Sequence, residues 1–326
     1  MQQNYHTSVV IGILLGQDAG TLVGMFLAGV LCDYGFAGGW PSVFYVFGTV
    51  GCIWSVAWFL VCYNSPSTHP LISSAELEYW ATMIDATDFT SHPSTPWRKI
   101  LTSVPVWALS VASFADIWGY YTMATCLPMY MYDILGLGMT MNGVLSAVPF
   151  LAMVIVNPVV GLLADWLRSP GRLSTNVVRK MFCAVGFTLS GCFYILIGFT
   201  DCNIALAVAT MCAAMACANL GFCTVDVNQL DLAPQHAGKI MGVTYTVANF
   251  GSVGSPLAVS AFTYRQPTRS QWQKVFYLTA AIYAVGAVVF VIFGSGDRQS
   301  WADNTIIDDE LSGTNNGNKE QTGSSY

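Results

Sequence analysis

Three carboxylates sit inside stretches of this sequence that are otherwise apolar: Asp18, Asp116 and Asp226. A charge in hydrocarbon costs about 3 kcal/mol or more, so such residues normally face a bundle interior or a water-filled cavity. Ser113, Asp116 and Tyr120 share one helical face through their i, i+3 and i+4 spacing. A protonated Asp116 can donate to Tyr120 or to a bound solute, and an ionised one can take up a proton or a sodium ion. The alternative is a structural Asp bonded to neighbouring backbone or hydroxyl groups. Asp18, in Gly16-Gln17-Asp18-Ala19-Gly20-Thr21, is open to a cavity role or a structural one. Asp226 follows Asn219 by two helical turns and shares its face, but it lies near a span end, where capping or hydration competes. Tyr245, Asn249 and Ser252 form a polar stripe ahead of Pro256, which suits a cavity wall or interhelical hydrogen bonding equally.

A second constellation is Gly161-Leu162-Leu163-Ala164-Asp165-Trp166-Leu167-Arg168, followed by Arg172, Arg179 and Lys180. It predicts a tight turn between two spans, with Gly161 allowing close approach and Asp165 capping the next segment or pairing with an arginine. That arrangement would gate the cytosolic end; the bland reading is a topology signal alone. His6, His69, His92 and His236 fall outside the spans with no ligand spacing, so no metal and no cofactor are implied. No metalloprotease, intramembrane protease or acyltransferase pattern occurs, which argues against an enzyme.

The elements that must position these residues are membrane helices. Hydrophobic residues make up 54% of the chain, charged residues 9%, and the mean hydropathy is +0.53, too apolar for a soluble domain. Spans are predicted at Val9–Leu31, Val43–Cys62, Val104–Tyr130, Gly143–Leu163, Met181–Phe199, Ile204–Asn228, Ala237–Phe262 and Val275–Phe293, most near the roughly 20 residues a bilayer requires. Asp18 and the absence of a preceding basic residue argue against reading the first as a signal peptide. The ten cysteines form no Cys-x-x-Cys and read as small core residues. Gly238, Gly242 and Gly251 suit close helix packing, and Pro128, Pro149, Pro158 and Pro256 permit bends.

The layout predicts residues 1–62 as two helices of one bundle, 63–103 as a cytosolic linker, 104–293 as a six-helix bundle and 294–326 as a disordered cytosolic tail. A surface helix in the linker would start at Ser73 or Ser74 and include Glu76, Glu78, Tyr79 and Met83. Arg98, Lys99, Arg168, Arg172, Arg179, Lys180, Lys239, Arg298 and Lys319 fall on one side of the membrane, and only Arg265, Arg269 and Lys274 on the other. Both termini are therefore expected in the cytosol. The net charge of −6 sits largely in loops and tail and excludes a nucleic-acid partner.

The Gly161 to Arg168 string resembles the cytoplasmic loop motif of the major facilitator superfamily. Further strings resemble its anion/cation symporter branch, which includes sialin, vesicular glutamate transporters and type I sodium/phosphate transporters. These are Val43-Phe44-Tyr45-Val46-Phe47-Gly48, Pro96-Trp97-Arg98-Lys99, Leu145-Ser146-Ala147-Val148-Pro149, Leu230-Asp231-Leu232-Ala233-Pro234 with Ala237-Gly238, and Trp272-Gln273-Lys274-Val275-Phe276-Tyr277. The resemblance implies an all-α polytopic membrane protein of major facilitator fold, N-terminally incomplete at about eight of twelve transmembrane helices. It implies alternating access and a small anionic solute moved with a coupling proton or sodium ion, in a lysosomal, vesicular or plasma membrane.

At the position of Asp116 the vesicular glutamate transporters have an arginine that helps hold the anion. A carboxylate reverses the local charge and argues against a dicarboxylate unless it is protonated. Apart from Lys239, at the very start of the Ala237–Phe262 span, no Lys, Arg or His lies inside a predicted span, so the resemblance places an anion's counter-charge in helices outside this sequence. A second expectation is a non-transporting product that acts through association with other membrane proteins.

Overall fold

Inside a bilayer the backbone must satisfy its own hydrogen bonds, and every predicted span is helical. The computed structural model describes residues 3–63, 72–78, 95–169, 172–200, 203–264 and 266–302, together with residues 68 and 70. The helices are α1 (Gln3–Tyr34), α2 (Trp40–Val61), α3 (Trp97–Leu101), α4 (Val104–Tyr121), α5 (Leu127–Asp133), α6 (Met139–Arg168), α7 (Thr175–Ile197), α8 (Ile204–Leu232), α9 (Ala237–Thr263) and α10 (Arg269–Phe293). Among the described residues, α2, α6, α7, α8 and α10 are each long and apolar enough to cross a membrane. The three other long elements, α1, α4 and α9, are the ones that carry Asp18, Asp116, and Tyr245 with Asn249.

Helix ends follow local chemistry. The Asn203 side chain accepts from the Leu206 N–H at 3.0 Å at the start of α8, satisfying one of the donors a helix leaves open. The single predicted span 104–130 is two α-helical pieces, α4 and α5, joined by a π-turn at Thr122–Cys126. Pro128 has no N–H to return to the carbonyl one turn back, so the ladder loosens there. The Thr122 hydroxyl takes up the slack, bonding the Trp118 carbonyl at 2.8 Å and the Ser255 hydroxyl on α9 at 2.7 Å.

The six-helix group holds the core. α4 packs on α9 and α10, α10 on α7, α7 on α8, and α8 on α6. Tyr130, Phe150, Phe187, Tyr194, Trp272 and Tyr283 fill its centre, and the Tyr194 hydroxyl donates to the Gly119 carbonyl at 2.8 Å. α1 lies along α6, while α2 rests chiefly on α1 and leaves Phe44, Trp54 and Phe59 exposed.

The α1 and α6 backbones touch at Gly29 and Gly143. A β-carbon on Gly143 would stand 2.6 Å from the Gly29 Cα, and one on Gly29 would stand 2.7 Å from the Gly143 Cα. Gly251 likewise meets α4, 3.0 Å from the Phe114 carbonyl, but Gly238 and Gly242 face open space. The packing role expected of those two is not what the structure shows, because neither points at a neighbouring helix.

In the linker, Ser73 and Glu76 form a reciprocal capping box: the Ser73 hydroxyl accepts from the Glu76 N–H at 3.2 Å while the Glu76 carboxylate accepts from the Ser73 N–H at 3.3 Å. This selects Ser73 over Ser74 as the cap; Tyr79 and Met83 lie outside the described residues. Residues 294–302, assigned to the tail on composition, are held against the bundle end. Asn176 accepts from the Gly296 N–H at 3.1 Å, Asn228 donates to the Ser295 carbonyl at 3.0 Å, and the Gln299 N–H donates to the Leu232 carbonyl at 2.9 Å. Residues 303–326 of that tail lie outside the described residues.

His236, in the turn between α8 and α9, stacks on Trp301 with ring centroids 6.5 Å apart. Burial and, after it, the Lys239 ammonium push its pKa below the ordinary 6.5. A depressed histidine pKa contributes stability that is present above the unfolded-chain value and lost as pH falls below it. Hydrogen-exchange protection of residues 295–302, corrected for intrinsic rates, is therefore expected to fall between pH 7.5 and 5.5. A His236→Gln variant should show no such fall; unchanged wild-type protection would separate His236 from the contact.

Candidate functional site

The polar residues carried by α1, α4, α8 and α9 meet at one cavity of about 400 Å³. α1 supplies Gln17, Asp18 and Thr21; α4 supplies Asp116, Ile117, Tyr120 and Tyr121. α8 adds Met215, Ala218, Asn219 and Phe222, and α6, α9 and α10 close it with Met153, with Tyr245 and Asn249, and with Tyr283. No lysine, arginine or histidine is among these lining residues.

Asp116 is 6% exposed and turns its carboxylate into the cavity, where no described residue hydrogen-bonds to it. Tyr120, one helical turn on, reaches across to α1: its hydroxyl lies 3.1 Å from the Thr21 hydroxyl, and its ring meets Phe150 edge-on. Asp18, 3% exposed, accepts from the Asn157 side-chain amide on α6 at 2.9 Å. The Asn157 carbonyl oxygen accepts in turn from the Cys223 thiol on α8 at 3.2 Å. Three helices, α1, α6 and α8, are thus joined by one chain of polar contacts. The amide nitrogen of Asn219 is buried in this wall without a partner among the described residues.

The structure separates the other candidates from the cavity. The Ser113 hydroxyl turns back to the Leu109 carbonyl at 2.9 Å and the Ser252 hydroxyl to the Asn249 carbonyl at 2.8 Å, and neither lines the cavity. Asn249 lines it while its amide nitrogen bonds the Tyr245 carbonyl. Asp226 sits outside and accepts from the Tyr245 hydroxyl, so it orients a cavity residue from behind. Asn157, Cys223 and Tyr283 did not stand out in the sequence. A lone Asn in an apolar run, as at Asn157-Pro158, was the available signal for the first.

Gly161 to Arg168 forms the last two turns of α6 and not the connection that follows it. The helix outlasts its apolar stretch because the polar end emerges at the surface. Asp165 is exposed there and pairs with no arginine among the described residues. The acid that binds the arginines is Asp231, at the end of α8: it receives the Arg179 Nε at 2.8 Å and stands 3.9 Å from Arg168 Nη2. Arg172 folds over the Trp166 ring, 3.8 Å from its centroid, a cation–π contact.

The Arg179 side chain is 4% exposed, so removing its partner strands a buried charge. Asp231→Ala is expected to destabilise the purified protein by about 3–5 kcal/mol, while Asp165→Asn stays within about 0.5 kcal/mol of the parent. Melting curves in detergent decide between them, and equal effects would remove Asp231 from the latch. At the opposite end of the α1–α6 contact, the Asp33 carboxylate accepts from the Thr140 N–H at 2.9 Å and from its hydroxyl.

Long apolar helices around a polar cavity, with a charged latch at one end, describe a polytopic membrane protein. The Major Facilitator Superfamily profile matches residues 6–256, and the chain belongs to that family. It is 38% identical over 302 residues to vesicular glutamate transporter 3 of Danio rerio, covering 91% of this chain and 50% of the relative. It is 35% identical over 329 residues to a putative inorganic phosphate cotransporter of Drosophila ananassae, covering 99% and 68%. An uncharacterized transporter of Caenorhabditis elegans is 39% identical over 300 residues, covering 90% and 61%. The chain thus spans about half to two thirds of the length of these curated relatives. They bear out the anion/cation symporter branch that the sequence strings pointed to.

Proposed function

We propose that the protein is a secondary active transporter of small anionic solutes, coupled to protons or sodium, that works by alternating access in a vesicular, lysosomal or plasma membrane. The observation that carries this reading is the mid-membrane cavity, in which Asp18 and Asp116 stand ready for a coupling cation. The relatives named for glutamate and phosphate supply the solute class. Residues 1–62 act as one moving group, 104–293 as the other, and 63–103 connects them. The K/R distribution supports a cytosolic position for both termini. The latch of Asp231 with Arg168 and Arg179, beside Gly161, Asp165 and Arg172, then lies at the cytosolic end, and Asp33 with Thr140 closes α1 on α6 at the other.

The test is reconstitution into vesicles with labelled glutamate or phosphate outside and a proton or sodium gradient imposed. Accumulation that collapses with the gradient supports the reading; binding without accumulation under either gradient overturns it. A second reading has its own observation. α2 leaves large apolar side chains exposed, so this chain could act by associating with further membrane helices, and co-purification of a membrane protein lost on an α2 Phe59→Ser change would support that.

A further inference from the structure

Small polar side chains in these helices can turn back on their own backbone: the Ser110 hydroxyl donates to the Val106 carbonyl at 2.9 Å and the Thr210 hydroxyl to the Leu206 carbonyl at 2.7 Å, bonds that need no neighbouring helix. Asn157, buried on α6, does the opposite. Its amide nitrogen donates to Asp18 Oδ2 on α1 at 2.9 Å, and its carbonyl oxygen accepts from the Cys223 thiol on α8 at 3.2 Å. The two contacts depend on each other. An amide turned the other way would set its oxygen against the Asp18 carboxyl and its N–H groups against the thiol. With the oxygen toward α8, the thiol proton has an acceptor there and a second one, Asn219 Oδ1, at 3.8 Å. Cys223 therefore fixes which end of Asn157 meets Asp18. The carboxyl is held by one oxygen only: Oδ1 has no hydrogen-bond partner among the described residues and is not sealed from the cavity that Asp18 lines. Asp116 lines the same cavity with no such holder among the described residues.

We infer that Asn157 is a positioning residue: with its amide oriented by Cys223, it holds one oxygen of Asp18 across the α1–α6 contact, keeps the other turned to the cavity for a coupling cation, and releases the carboxyl when α1 and α6 part. It touches neither solute nor cation itself. α1 and α6 belong to the two different helix groups, so the carboxyl is placed for a cation only while those groups are closed on each other here. The coupling role rests on the transporter reading above, whereas the hold on Asp18 stands apart from it.

The test labels the carboxyls of the purified chain with dicyclohexylcarbodiimide, an apolar reagent that adds to a free carboxyl oxygen, and reads the rates at Asp18 and Asp116 separately by mass spectrometry. Asn157→Leu, close to the parent in size, removes the holding donor and should speed labelling of Asp18 by about fivefold or more, the order expected of one lost hydrogen bond. Asp116 should react as in the parent. Cys223→Ala should move Asp18 in the same direction, Cys223→Ser, which keeps a donor, should move it less, and Cys217→Ala on the same helix should leave it alone. An unchanged Asp18 rate in Asn157→Leu or in Cys223→Ala overturns the inference. So does equal acceleration at both carboxyls, the mark of a loosened bundle, or no label at Asp18 in any form. Cys223 is only partly buried, so its variants decide the matter should Asn157→Leu fail to fold. In vesicles, Asn157→Leu should shift the proton or sodium concentration that half-saturates uptake by about the same factor. The expected labelling without any wild-type accumulation would defeat the transporter reading and leave the hold on Asp18 standing; gradient-driven uptake with the same cation dependence in Asn157→Leu as in the parent would do the opposite.

Discussion

Asp116→Asn is expected to lower gradient-driven uptake by about tenfold or more while leaving membrane insertion and the melting curve intact. The amide matches the carboxylate in size, so the core around Ala112 and Ala115 keeps its packing. What disappears is the ability to exchange a proton and to hold a coupling cation, and a contact to a charged group contributes roughly 1.5–3 kcal/mol. Uptake measured in vesicles with and without the proton or sodium gradient reads both losses. If the variant accumulates solute with unchanged dependence on the gradient, Asp116 is a structural residue, and the cavity assignment falls with it.

Gly143→Val should have the largest effect on folding. Its β-carbon would fall 2.6 Å from the Gly29 Cα, and both sides of that contact are backbone, so no side chain can swing away. The helices must separate, which costs about 3 kcal/mol or more by overpacking. Their separation would also carry away the Asp18–Asn157 and Asp33–Thr140 bonds that bracket the crossing. Gly48→Ala on α2 is the matched control, since nothing lies within 4 Å of its added carbon. A melting temperature and a cysteine cross-link between the outer ends of α1 and α6 are the readouts. Behaviour like the control's would show that the crossing is not a close one.

Much of the site was legible because depth and period are linear properties of sequence. An acid inside an apolar run must find polar company, which located Asp18 and Asp116, and helical spacing put Tyr120 beside the latter and Tyr245 with Asn249 on one wall. The misses share a different cause. Ser113 occupies the right face of its helix, but a hydroxyl can bond its own helix carbonyl four residues back, and periodicity does not reveal that choice. Asp231 and Arg179 are far apart in sequence and meet only through the packing of α7 on α8, so Asp165, which is merely near the arginines in sequence, stands out in their place. Gly29 and Gly143 carried no mark to distinguish them from Gly238 and Gly242, because a glycine's role is set by whatever faces it. The shift from turn to helix at Gly161–Arg168 reflects the same limit: hydropathy ends where the bilayer ends, and a helix does not have to.

The π-turn at Thr122–Cys126 divides one span into two lengths with separate attachments. The length bearing Asp116 and Tyr120 is fastened to α9 and α10, whereas the outer length, α5, is fastened to α6 through the Asn142 amide on the Pro128 carbonyl. Leverage applied at the outer end therefore dissipates in the loosened ladder before it reaches the carboxylate. The two lengths can therefore shift against each other while the attachments of the Asp116 length to α9 and α10 are kept.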